Sequence, residues 1–156
     1  MDDSHLRMRN ASPSQRSPLL SVTSEYALRA ILVLAQDPTR PMRADEIAAA
    51  IGAPRNYLAK TLNSLAKAKI TTSTRGPLGG FMLAVSSETL TVGDIAAVFD
   101  PTVPRRRCLL RDQPCDPENP CSAHTRWADV SEAARQAMLT TIAELLAPPL
   151  APESAF

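Results

Sequence analysis

Aromatic side chains are scarce in this chain of 156 residues, with one tryptophan, two tyrosines and three phenylalanines amounting to 4% of it. Glycine is also rare, five residues against fourteen prolines, which leaves no room for a collagen repeat. No stretch approaches the roughly 18 to 20 consecutive apolar residues of a membrane span, and the first residues, MDDSHLRMRNASPSQRSP, lack an apolar signal core. A cytoplasmic protein without membrane association is expected. Cysteine is limited to three, an odd number confined to residues 108 to 121, which is not the even, dispersed set of an extracellular disulfide framework. What remains is 44% hydrophobic and 21% charged, an ordinary globular balance that excludes a coiled-coil rod or a wholly disordered chain. The length points to one domain.

The net charge of +1 conceals a strong asymmetry. Residues 40 to 80 hold seven basic residues against Asp45 and Glu46, a net of +5, whereas residues 108 to 156 carry −4. A basic segment of this kind suits a face that binds a polyanion, though a solvated helix surface would look the same by charge alone.

Along the chain, residues 1 to 20 are polar and aperiodic, and are expected to form a disordered arm. Thr23 or Ser24 is expected to cap a helix from Glu25 to Gln36, so apolar that it must be buried on most sides. Asp37 and Pro38 stop it. A short helix from Arg43 to Ile51 ends at Gly52, and a third begins at Pro54 and runs to Ala68 with Leu58, Leu62, Leu65 and Ala66 on its inner side. Its outer side presents Asn56, Lys60, Asn63 and Lys67. Two helices joined by a short glycine-containing turn, the second basic on its outer face, form a helix-turn-helix pattern. The β-branched run Ile70 to Thr74 and the segment Phe81 to Val85 flank Arg75-Gly76-Pro77-Leu78-Gly79-Gly80, a hairpin with an arginine at its edge. Such a hairpin is a wing.

Thr91 and Asp94 form a capping box opening a helix from Val92 to Phe99. Residues 101 to 121 hold the cysteines, many of the prolines and Arg105 to Arg107, and must be loop. From Ser122 or Ala123 a single long helix is expected to reach about Leu146. Trp127, Val130, Ala134, Ala137, Thr141 and Leu145 recur there at a spacing near 3.5, as on a helix that packs against a second subunit. Residues 148 to 156 read as a flexible tail. The fold class is thus mainly α with a small β-wing: a winged helix-turn-helix over residues 21 to 100, and a dimerisation helix over 122 to 147.

Cys108, Cys115, Cys121 and His124 stand as Cys-x6-Cys-x5-Cys-x2-His, three thiolates and an imidazole that suit either a tetrahedral zinc site or an iron-sulfur cluster. Pro114 and Pro120 fix extended backbone before two of these cysteines, and Arg105 to Arg107 favour the thiolate forms. Chemistry alone does not choose between the metals. A Cys121–His124 nucleophile has neither an oxyanion site nor a substrate pocket in the sequence to work with, so an enzyme is not expected.

The strings SEYALRAILVLA, RNYLAKTLNSLAKAKI and RGPLGGFML, with the spaced cysteines ending in CSAHTRW, together resemble the Rrf2 family of winged-helix transcriptional regulators, which includes IscR-like and NsrR-like proteins. The resemblance runs from residue 20 to about 146. It implies a homodimer that binds operator DNA, usually as a repressor, and in cluster-binding members an iron-sulfur cluster on the three cysteines whose state sets DNA affinity. A 2Fe-2S cluster is expected here, with 4Fe-4S and zinc as alternatives. His124 matches the IscR-like fourth ligand; Glu25 falls where some relatives present an acidic one. Arg55, Asn56 and Tyr57 would then lie near base edges in the major groove, Lys60 on phosphate, and Arg75 with Gly76 at the minor groove. Tyr57 could equally serve the core. The operator should be an imperfect palindrome.

Overall fold

The computed structural model describes residues 19–101, 108–111 and 113–148. The expected N-terminal arm up to residue 18, Arg105 to Arg107 and the tail beyond Pro148 lie outside them. Among the described residues six helices and a two-stranded sheet follow one another as α1 (Val22–Gln36), α2 (Ala44–Ile51), α3 (Arg55–Lys67), β1 (Thr71–Thr74), β2 (Gly80–Leu83), α4 (Val92–Phe99), α5 (His124–Met138) and α6 (Ile142–Leu146).

Helix α1 is the centre of the molecule. Ala27, Ala30, Ile31 and Leu34 are buried on it, and they pack with Ile47 and Ile51 of α2, Leu58, Leu62 and Leu65 of α3, Ile95 of α4 and Ile142 of α6 in one cluster. Full burial of a Leu or Ile side chain contributes about 1.5 to 3 kcal/mol, so these contacts hold the helices together more than any local preference does. The start of α1 differs from expectation. Ser21, rather than Thr23 or Ser24, is its cap, and its hydroxyl accepts the Ser24 N–H. The helix therefore begins three residues before Glu25, and Ser24 lies buried within the first turn.

Between α2 and α3 the chain turns through Gly52, whose φ of 66° is left-handed and suits a residue without a side chain. Strands β1 and β2 pair antiparallel with Thr71 opposite Leu83 and Thr74 opposite Gly80. Ile70 and Val85, expected within the strands, fall just outside them. A bridge between Met42 and Phe81 adds a third strand-like contact on the far edge of β2. Gly80 permits that approach: a Cβ there would lie 2.5 Å from the Met42 carbonyl oxygen. The capping box of α4 is present as expected, Thr91 accepting from the Asp94 N–H and the Asp94 carboxylate accepting from Thr91.

The C-terminal region is not one long helix. It breaks after Met138, and Thr141 caps a separate α6 with a capping box of its own to Glu144. The reason is tertiary. The Val92 N–H donates to the Thr140 carbonyl at 3.0 Å and the Ile142 N–H to the Leu90 carbonyl at 2.9 Å, which pins the chain against the start of α4 and delivers Ile142 into the core. Met138 and Ile142 are the buried residues here, whereas Val130 and Leu145 of the expected stripe are 56% and 43% exposed.

Candidate nucleic-acid interface and cysteine site

Helix α3 sorts its residues by side. Leu58, Thr61, Leu62 and Leu65 are buried, and Arg55, Asn56, Tyr57, Lys60, Asn63 and Lys67 are exposed on the opposite face. Pro54 occupies the cap position, where its missing N–H costs no helical bond. Arg55, Lys60 and Arg75 form no ion pair among the described residues, so their charges are open to a polyanion. Arg40 is different, lying 3.7 Å from Asp37 and 3.3 Å from Glu46. The Arg43 N–H and the Arg40 guanidinium hold the Glu46 carboxyl below its ordinary range. Glu46 is already within the net of +5 over residues 40 to 80, so only Asp37, from outside that segment, offsets it further.

Tyr57 is not a core residue. It is 39% exposed, its hydroxyl pairs with that of Thr23, and its ring stands edge-on to Tyr26 at 5.8 Å. The N-terminal end of α3 is therefore tied to the first turn of α1.

The wing projects Arg75 and Gly76 to solvent, with Leu78 91% exposed at its tip. Gly76 has φ 116°, a conformation that strains any residue with a Cβ, and its carbonyl accepts from the Gly79 N–H at 3.0 Å. Arg43, which the sequence reading did not single out, braces the hairpin by donating from its guanidinium to the Pro77 carbonyl at 2.6 Å. No local signal marks that role, because the two residues are 34 positions apart.

The cysteine segment contains no helix or strand among its described residues, as expected, until His124 opens α5. The donors form two pairs. Cys108 Sγ lies 3.5 Å from Cys121 Sγ, and Cys115 Sγ lies 3.2 Å from His124 Nδ1. For comparison, two thiolates on one zinc at about 2.3 Å bond length stand about 3.8 Å apart in a tetrahedron. The Cys108 N–H donates to the Gln113 carbonyl and the His124 N–H to the Cys121 carbonyl, both at 2.9 Å, which holds the donors in place. The backbone N–H of Leu110 is the main influence holding the Cys108 thiol below its ordinary range, and the Cys121 thiol and Arg111 assist against the opposing effect of burial. The two pairs do not merge: among the described residues no three of His, Cys, Asp and Glu converge as a single-metal site. Glu25 sits half-buried in the first turn of α1, its N–H bonded to the Ser21 carbonyl at 2.9 Å.

A core helix, a helix-turn-helix with an outward basic face and a hairpin wing are now joined by a clustered cysteine segment. The profile of the Rrf2 family, described as "Iron-dependent Transcriptional regulator", matches residues 20–148. The chain is a member of the Rrf2 family. An HTH-type transcriptional regulator so described from Aquifex aeolicus is 34% identical over 131 residues, covering 82% of this chain and 91% of the relative. IscR of Yersinia pseudotuberculosis is 32% identical over 116 residues, 72% of this chain and 69% of that protein. Among solved structures, CymR of B. subtilis, titled a global cysteine regulator, aligns with a TM-score of 0.70 at 22% identity, over 81% of this chain and 95% of that one. IscR of T. potens aligns with a TM-score of 0.65 at 25% identity, over 81% and 85%. This Rrf2 protein is accordingly a DNA-binding transcriptional regulator and not an enzyme. No helix among the described residues is long and apolar enough to cross a membrane.

Proposed function

We propose that this Rrf2 regulator is a cytoplasmic homodimeric repressor whose affinity for an imperfectly palindromic operator is set by a 2Fe-2S cluster on Cys108, Cys115, Cys121 and His124. The observation that carries the reading is the division of four donors into two pairs. A 2Fe-2S cluster has two irons, each taking two protein ligands, so a Cys108–Cys121 pair beside a Cys115–His124 pair suits it better than one tetrahedral zinc. When bound, the cluster supplies a redox-active centre that oxidants, nitric oxide or iron supply can alter. The protein's own part is to favour the thiolate of Cys108 and to hold the imidazole at the first turn of α5. Glu25 is the alternative fourth ligand.

On the DNA side, Arg55, Asn56 and Tyr57 lie at the end of α3 that reads base edges, with Lys60 on phosphate and Arg75 and Gly76 of the wing at the minor groove. The exposed Val130 of α5 and Leu139, with Leu109 and Leu110 of the cysteine segment, offer apolar surface to a second subunit. An aspartate at Ala134 should split that dimer.

The test compares operator affinity of anaerobic cluster-loaded and metal-free protein at one salt concentration, with iron, sulfide and zinc assayed. A coupling of about 1 to 3 kcal/mol gives roughly 5- to 150-fold between the two forms. Equal affinities would remove the switch. Stoichiometric zinc without labile sulfide would replace the cluster by a structural metal, and a thiol-dependent change in affinity without any metal would replace it by a thiol switch at the same cysteines.

A further inference from the structure

The first turn of α1 is gripped from two sides. On one side, a single oxygen of Asp100, Oδ2, accepts the Ser21 N–H at 2.9 Å and the Ser24 hydroxyl at 2.6 Å. Ser24 is 1% exposed and Asp100 half-buried, and this short bond to a carboxylate belongs to the stronger, charge-assisted class. On the other side, the hydroxyl of Thr23 meets that of Tyr57 near the start of α3. Thr23 and Ser24 are neighbours in the chain. One helical turn therefore joins Asp100 to the end of α3 that is proposed to read DNA.

Asp100 is itself placed at a junction. It caps α4, its N–H donating to the Ala96 carbonyl at 2.7 Å, and it stands just before the segment that leads to Cys108. The other end of that segment returns to the same helix through α5, which begins at His124 and packs by Met138 against Val92 and Ala96. The approach there is close: a Cβ on Gly93 would lie 3.0 Å from the Met138 carbonyl oxygen. The cysteine segment thus follows directly on the C-terminal end of α4, and its far end is linked back to the start of α4 through the length of α5.

We propose that Asp100, Ser24 and the Thr23–Tyr57 hydroxyl pair are positioning residues that carry the state of the cysteine site to the N-terminal end of α3. The inference rests on the proposed switch. Its physical basis is that a densely packed helix transmits a shift instead of absorbing it, and that a directional bond of 2.6 Å is either kept or broken when its acceptor moves. With the bond kept, α1 presents Thr23 to Tyr57 and fixes the tyrosine beside Arg55 and Asn56. With it broken, the first turn of α1 is free to fray and Tyr57 loses its partner.

The test uses Thr23→Val and Ser24→Ala in the full chain, each removing one hydroxyl outside the DNA-reading face and the cysteine set. Operator affinity is measured for cluster-loaded and metal-free forms at one salt concentration, with visible absorption as the check on loading and circular dichroism as the check on folding. The expected result is normal loading in both variants and a ratio of the two affinities that falls at least about threefold toward one. Faster amide exchange at residues 55–58 in the metal-free variants is the second expected readout, independent of the cluster. Equal affinities of the two forms in the wild type would overturn the switch and the connection together. A wild-type difference that survives both substitutions would overturn the connection alone.

Discussion

Replacing Thr141 by alanine has opposite consequences for a broken and for a continuous C-terminal helix. In the structure the Thr141 hydroxyl accepts the Glu144 N–H at 3.2 Å, and the Glu144 carboxylate accepts the Thr141 N–H at 2.6 Å. Alanine removes the first of these and orphans a helical donor, a change that costs about 0.5 to 2 kcal/mol and typically about 1. For a domain of this size a loss of about 1 kcal/mol is a fall in Tm of about 2 to 4 °C. Were residues 122 to 146 one helix, position 141 would be interior, and alanine, the better helix former, would raise stability by up to about 0.7 kcal/mol. The assay is far-ultraviolet circular dichroism during heating at neutral pH and fixed protein concentration, with Thr141→Ser as the control that keeps the cap. A Tm equal to or above the wild type for Thr141→Ala, with Thr141→Ser unchanged, would refute the break and restore the continuous helix.

Lys60→Ala should weaken binding to all DNA sequences alike and lower the salt slope by about 1, whereas Arg75→Ala should cost about 1 to 3 kcal/mol on the operator and less on random DNA; fluorescence anisotropy across a salt series checks both, and an unchanged operator affinity for Arg75→Ala would remove the wing from the interface. Two-electron oxidation of the metal-free protein by diamide should join Cys108 to Cys121, whose sulfurs are 3.5 Å apart, and leave Cys115 as the thiol that a mass-tagging reagent labels; a peptide map showing Cys115 in the disulfide would contradict the pairing. Gly79→Ala should disrupt the wing, because a Cβ there would lie 2.1 Å from the Thr74 carbonyl oxygen, and the operator affinity should fall well before the core melts. Burial tends to raise the Asp100 pKa, but the hydroxyl of Ser24 and the N–H and hydroxyl of Ser21 outweigh it and hold the group below its ordinary value. A depressed folded pKa gives stability that is present above the unfolded value of about 3.9 and is lost as pH falls through the folded one, so Asp100→Asn should flatten the decline of Tm below about pH 4.

Much of the DNA-reading half was legible in the sequence because its signals are local. Gly52 as a left-handed stop, the Thr91–Asp94 capping box and the glycine- and proline-rich wing each act over a few residues, so their chemistry is decided before any tertiary contact forms. The outward row of α3 was equally legible, since burying Leu58, Leu62 and Leu65 leaves Lys60 and Lys67 nowhere else to point. The C-terminal helix was misread for a related reason. An apolar stripe through Trp127, Val130 and Ala134 continues in register to Leu145, and the capping signal of Thr141 and Glu144 lies inside it unnoticed. What breaks the helix is a pair of backbone bonds from Leu90 and Val92, some fifty residues earlier in the chain. The cap of α1 shows the same limit, because Ser21 prevails over its neighbours with Asp100, 79 positions away, as the partner of its N–H. The cysteines mark the limit most clearly. Spacing marks Cys108, Cys115, Cys121 and His124 as candidate donors, but which sulfur meets which partner depends on how the backbone turns between them, and only the folded chain settles it.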